Sequence, residues 1–129
     1  MSRAIGFIGT GNIGNPMAQN LIEAGHDLIV HDTRQEVAEN LLELGAVWAG
    51  SPAEVSAAAR VVFTSLPGPL QIEDVVNASN GLLSGARDGD VHIDLSSNSI
   101  ATVQRVAARE AERGVLYVDC PVTGGVAGA

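Results

Sequence analysis

Residues 7–14 read Phe7-Ile8-Gly9-Thr10-Gly11-Asn12-Ile13-Gly14, three glycines in the spacing G-x-G-x-x-G. The run follows a short apolar segment, residues 4–8. It opens a stretch, residues 12–24, in which Ile13, Met17 and Leu21 recur four apart before Gly25. Strand, glycine turn and helix together form the context in which this spacing has physical meaning. Gly9 makes the tight turn, Gly11 admits backbone to a pyrophosphate, and Gly14 lets the helix lie close against the strand. Thr10, Asn12 and Ile13 fill the intervening positions, where the free amides and dipole of the helix N-terminus face an anion. The alternative is that the glycines serve only a tight turn.

Working outward, apolar runs and 3.6-period segments alternate along the chain. Strands are expected at residues 4–8, 28–31, 46–49, 60–65, 91–95 and 115–118. The first helix covers 12–24. Thr33-Arg34-Gln35-Glu36 fits a capping box for a second helix ending near Gly45. Ser51-Pro52-Ala53-Glu54 repeats the signal with proline at the first helical position. Further helices are expected at 70–77 and 99–113. Leu66-Pro67-Gly68-Pro69 forces a turn, and Asn80-Gly81 with Gly85 marks a connection. This order implies an α/β fold, a doubly wound and mostly parallel sheet in strand order 3-2-1-4-5-6.

An acid is expected at the end of the second strand, roughly 20 residues past the glycines, and Asp32 stands there. Its carboxylate can accept the adenosine ribose hydroxyls and repels a 2′-phosphate, which favours NAD over NADP. The alternative is that Asp32 starts the next helix, although Thr33 is the better cap because it pairs with Glu36. Arg34 leaves a route to NADP, since an arginine there can receive a 2′-phosphate.

The 129 residues suit a single domain, with no linker or low-complexity tract. Only 3% of residues are aromatic, so Ile, Leu, Val and Ala must build the core, as in buried parallel sheets. The net charge of −8 comes from fifteen acids against seven basic residues, every one an arginine. That balance argues against nucleic-acid or anionic-membrane surfaces, which require clustered cations. Cys120 is the single cysteine, so no disulfide framework and no metal site is expected. Met1-Ser2-Arg3 leads straight into a strand without a signal-peptide core, and no apolar stretch reaches transmembrane length. A cytoplasmic protein is the expectation.

The longer stretch from Gly6 to Leu21, with its tail Asn15-Pro16-Met17-Ala18-Gln19-Asn20-Leu21, resembles the opening signature of the β-hydroxyacid dehydrogenases. That family includes 3-hydroxyisobutyrate dehydrogenase, 2-hydroxy-3-oxopropionate reductase and, more distantly, 6-phosphogluconate dehydrogenase. Thr10 and Ile13 depart from the family's usual Leu and Met at packing positions. The resemblance implies that Leu66-Pro67 contacts the nicotinamide side of the cofactor and that Gln71 reaches the dinucleotide. In Asp94-Leu95-Ser96-Ser97 it implies that Ser97 replaces the family's cofactor-contacting threonine. Read alone, Pro67 is turn chemistry, Gln71 a surface residue and Ser97 a turn or cap residue.

Asp119-Cys120-Pro121-Val122-Thr123-Gly124-Gly125 is similar to the family's substrate-binding loop. Thr123 keeps the usual hydroxyl, and the amides of Gly124 and Gly125 are candidates for a substrate carboxylate. Cys120 replaces an alanine and is expected as a buried small hydrophobe.

The family's acid/base catalyst is a lysine on the helix after this domain, and the sequence contains no lysine. Arginine does not surrender a proton at neutral pH. His31 and His92 are the titratable alternatives, and neither is placed near the nicotinamide. No catalytic residue is therefore assigned. The resemblance implies a cofactor half without the family's helical C-terminal domain, expected to end in the substrate loop and to be inactive alone. The other possibility is a non-catalytic dinucleotide-binding or interaction module. An unpaired edge at the sixth strand invites association, so a homo-oligomer is a further expectation.

Overall fold

The computed structural model describes residues 4–129, apart from the side chains at positions 125 and 126. The Met1-Ser2-Arg3 lead-in lies outside the described residues. Six strands form one sheet: β1 (Ile5–Ile8), β2 (Leu28–His31), β3 (Val47–Trp48), β4 (Val61–Thr64), β5 (Val91–Asp94) and β6 (Leu116–Asp119). Their order is β3-β2-β1-β4-β5-β6, with parallel pairing throughout. This is the expected doubly wound topology. The register brings Ile8, His31, Thr64, Asp94 and Asp119 level at the carboxyl edge of the sheet.

Side chains alternate between the two faces with the period of two that a strand imposes. Phe7, Leu28 and Val30 are buried on the face that carries α1 (Gly14–Glu23) and α2 (Glu39–Glu43). Ile8 and Val62 belong to the other cluster, packed with α3 (Pro52–Ala58), α4 (Pro69–Asn77), α5 (Leu82–Gly85) and α6 (Ile100–Glu112). Phe7 stacks on Phe63 across β1 and β4 with ring centroids 5.8 Å apart. Burial of each such apolar side chain contributes about 2–3 kcal/mol.

The helices form where their termini were legible. Ser51 caps α3 by accepting the Glu54 amide at 3.2 Å, with Pro52 in the first turn. Ser99 does the same for α6 through Thr102. The buried stripe of α6 is Thr102, Val106 and Glu110, four apart, as a 3.6-residue period requires. Arg105 grips the half-buried Glu73 of α4 through Nε at 2.8 Å, and this hydrogen bond holds the Glu73 carboxyl below its usual range.

Several expectations are corrected. The first helix starts at Gly14, two residues after the expected position. The Thr33 capping box does not form. Residues 35–38 make a 3-10 turn ahead of α2, and Thr33 donates to Asp32 at 3.3 Å while Arg34 occupies the cap position. The reason is Asp32, whose Oδ1 accepts the Arg34 amide at 3.4 Å and closes the turn itself. The connection after Asn80 contains the short helix α5. The closing loop contains another, α7 (Gly125–Gly128). Cys120 is exposed, not buried. It follows β6 at the edge of the sheet, where Val118 is also 37% exposed.

Candidate functional site

A cleft of about 520 Å³ opens at the carboxyl edge where the strand order reverses between β1 and β4. Ligands bind at such switch points in doubly wound sheets, and the size falls within the usual range for small-molecule sites. One wall is the glycine turn, with Gly9, Gly11, Asn12, Ile13 and Gly14. A second is formed by His31, Asp32, Thr33 and Arg34 after β2, and a third by Leu66, Pro67, Gln71 and Asp74 after β4.

Each glycine has a separate reason. Gly9 has φ +94°, and a Cβ there would run into the Ser65 carbonyl. On Gly14 a Cβ would run into the Gly9 carbonyl, with the Phe7 ring 3.1 Å away, so α1 closes onto β1 only with glycine. A Cβ on Gly11 would meet nothing within 4 Å, so open space lies over the first turn of α1. Asn15 donates to the Gly11 carbonyl at 2.8 Å and Pro16 has no N–H, so the amides left for an anion are those of Asn12, Ile13 and Gly14, residues that line the opening. A cradle that a Cβ would fill, at a helix N-terminus, suits a pyrophosphate.

Asp32 ties this turn to β2. Its Oδ2 accepts the Thr10 amide at 2.8 Å and the Thr10 hydroxyl at 3.3 Å. Thr10 is buried and aimed at Asp32, so its side chain braces the loop from behind. Asn15 exchanges paired amide hydrogen bonds with Asn40 at 2.8 Å and donates to the Val37 carbonyl at 3.1 Å. The Asn15-Pro16 signature thus fastens α1 to the segment that carries the Val37 wall. His31 places Nδ1 2.8 Å from the Ala49 carbonyl and tilts against Trp48, with centroids 5.4 Å apart.

The structure brings the glycine turn, Asp32, Leu66, Pro67 and Gln71 into one cleft. Ser97, Thr123 and Gly124 do not line it, and the surroundings of Gly125 lie outside the described residues. Thr123 instead borders a neighbouring apolar cavity of about 320 Å³ shared with Ile13, Met17 and Phe63. Ser97 is exposed, and its neighbour Ser96 is the buried residue, accepting the Leu66 amide at 2.8 Å. Sequence reasoning passed over Ser96 and Asp74, while His31, read as the end of the second strand, stands in the wall beside Asp32. An acid one turn beyond Leu70 carried a usable signal for Asp74, whereas Ser96 depends on a pairing across strands. His92 lies away from the cleft, buried between Glu110 Oε2 at 2.6 Å and Thr64 Oγ1 at 2.8 Å.

Tyr117 donates its hydroxyl to Asp94 Oδ2 at 2.7 Å, and its pKa is raised far above the ordinary value of 10 by burial and then by the Asp94 carboxylate. Below pH 10 both folded and unfolded states keep the phenol proton. Above pH 10 only the unfolded state gives it up, so stability is lost as pH rises. The chain has one tyrosine and no lysine, so this ionisation dominates the alkaline limb. Urea denaturation at pH 9 and pH 11 is expected to show a decline of about 1 kcal/mol or less per pH unit, discounted because the ring is half exposed. Tyr117→Phe should flatten it; an unchanged slope in that variant overturns the assignment.

A family model described as the NAD binding domain of 6-phosphogluconate dehydrogenase matches residues 4–129. A probable mitochondrial 3-hydroxyisobutyrate dehydrogenase of Dictyostelium discoideum is 41% identical over 99% of this chain and 40% of its own length. The solved structure of Mycobacterium tuberculosis 3-hydroxyisobutyrate dehydrogenase with L-serine superposes with a TM-score of 0.91 at 35% identity, over 100% of this chain and 43% of that one. Psf3 in complex with NADP+ and 2-OPP also gives 0.91, at 36% identity, over 97% of this chain and 44% of that one. The chain therefore spans well under half the length of the relatives it matches. Among the described residues no helix is long and apolar enough to cross a membrane.

Proposed function

Because this chain belongs to the family of the NAD binding domain of 6-phosphogluconate dehydrogenase, we propose that residues 1–129 form the dinucleotide-binding domain of an NAD-dependent 3-hydroxyacid dehydrogenase. Completed by the further chain that the relatives carry, it would move hydride between NAD and a short β-hydroxyacid such as 3-hydroxyisobutyrate. NAD, when bound, supplies the hydride chemistry. In this reading the α1 N-terminus and Gly11 receive the pyrophosphate, Asp32 accepts the adenosine ribose hydroxyls, and Leu66-Pro67 backs the nicotinamide. Gln71, in the wall of the cleft, is a further cofactor contact, and Ser97, which stands outside that wall, is assigned as another on the family resemblance alone. Thr123, Gly124 and Gly125 take the substrate carboxylate through hydroxyl and amides.

The observation that carries the reading is Asp32, held by the Thr10 amide at 2.8 Å beside the open space at Gly11. The seven basic residues are all arginines, so no lysine serves as acid or base and the domain alone is expected to bind without turnover. Assembly into a homo-oligomer and a cytoplasmic location complete the proposal. The single exposed cysteine supports a reducing compartment, whereas the Dictyostelium relative is mitochondrial by name.

Paired calorimetric titrations with NADH and NADPH test this. NADH is expected to bind saturably and more tightly than NADPH. Asp32→Ala should weaken NADH about tenfold or more, the effect of losing charge-assisted hydrogen bonds, and narrow the preference. No binding of either nucleotide at millimolar concentration overturns the reading. A preference for NADPH moves the ligand to Arg34.

A further inference from the structure

Asp94 closes β5 and has no side-chain exposure. Its Oδ1 accepts the Thr64 hydroxyl at 2.9 Å and the Ser96 amide at 3.0 Å. Its Oδ2 accepts Asn98 Nδ2 at 2.7 Å and the Tyr117 hydroxyl at 2.7 Å. A carboxylate offers about four lone-pair sites, and these four donors fill them. All four contacts are 3.0 Å or shorter and Asp94 is buried, so no ligand reaches it. Asp32 also meets four donors, but it lines the cleft and three of them stand at 3.3–3.4 Å, where a ribose hydroxyl can displace them. Asn98 is oriented by the same demand. Its amide nitrogen must face the carboxylate, and its buried Oδ1 is left without a partner among the described residues.

The links continue toward the cleft. Ser96, whose amide Asp94 holds, accepts the Leu66 amide through Oγ at 2.8 Å, and Leu66 lines the cleft. The backbones run alongside, with the Leu95 amide on the Thr64 carbonyl at 2.8 Å. One buried carboxylate therefore gathers β4, β5, β6 and the loops after β4 and β5.

We propose that Asp94 is a positioning residue that sets the loop after β4 against the loop after β5, and thereby shapes the half of the cleft facing the glycine turn. This rests on the reading that Leu66-Pro67 backs the nicotinamide while Asp32 and Gly11 serve the adenosine half. Because Asp94 touches no part of the glycine turn, the two halves of the ligand separate its effect from simple loss of stability. An asparagine of the same size brings N–H donors against four donors, so it reverses polarity without opening a cavity.

Calorimetric titration with NADH and with ADP-ribose, which lacks the nicotinamide, tests the proposal on the whole chain. Asp94→Asn is expected to weaken NADH about tenfold and ADP-ribose less than about twofold. Ser96→Ala cuts only the last link to Leu66 and should weaken NADH several-fold with ADP-ribose unchanged, so it decides alone if Asp94→Asn does not fold. Equal losses for both ligands, or no loss in either variant, overturn the positioning role. So does a parent chain that binds NADH no more tightly than ADP-ribose. A parent chain that binds neither overturns the cofactor-domain reading itself.

Discussion

Glu110→Ala is expected to lower the free energy of unfolding by about 3–5 kcal/mol, because it removes one member of a buried hydrogen-bonded pair. Glu110 and His92 are both buried, joined at 2.6 Å between α6 and β5. The direction of the network is fixed from its far end. Thr64 gives its only hydroxyl proton to Asp94, so His92 Nε2 must donate to Thr64. Truncating Glu110 leaves Nδ1 facing a cavity. The pair is also costly as it stands, since Glu110 Oε1 is buried without a partner among the described residues. Replacing both residues with leucine is therefore expected to recover most of the loss. Equilibrium urea denaturation of the single and double variants measures this; a single-variant cost under about 1 kcal/mol would show that water reaches the pair.

The second large effect divides two glycines of the same motif. Gly14→Ala drives a Cβ into the Gly9 carbonyl, where neither backbone segment can yield, and is expected to cost about 3 kcal/mol of stability. Gly11→Ala meets nothing and should change stability by less than about 0.5 kcal/mol. Its methyl nevertheless stands where the pyrophosphate approaches, so NADH affinity should fall by about tenfold or more. Melting curves and NADH titrations on both variants check the division. Equal losses of affinity without loss of stability in Gly14→Ala would place that glycine in the ligand's path instead of the fold's.

Much of this was readable beforehand because the signals were local. Gly25 and Gly45 end their helices with φ +98° and +106°, and Ser51-Pro52-Ala53-Glu54 delivers its cap. The strand order follows from right-handed crossovers once the alternation is seen. What escaped depends on contacts across the fold. Glu110 reads as the polar side of a helix until β5 places His92 against it, eighteen residues away in sequence. Thr33 lost its cap because Asp32 serves both neighbours, bracing Thr10 and closing the turn at Arg34. Ser96 and Ser97 are indistinguishable as letters, yet only one is turned inward. The four-residue helix α5 is too short for a 3.6-residue period to register.

The tilt of Trp48 on His31 gives the molecule a built-in optical sense on one side only. The chain has a single indole, and it rests 5.4 Å from a ring that forms the wall beside Asp32. Its emission therefore reports from the β2 side of the crevice. The Asp94 lattice lies beyond β1, across the sheet, outside that ring's immediate surroundings. One chromophore thus watches one end of a two-ended ligand, and silence at its wavelength says nothing about the other.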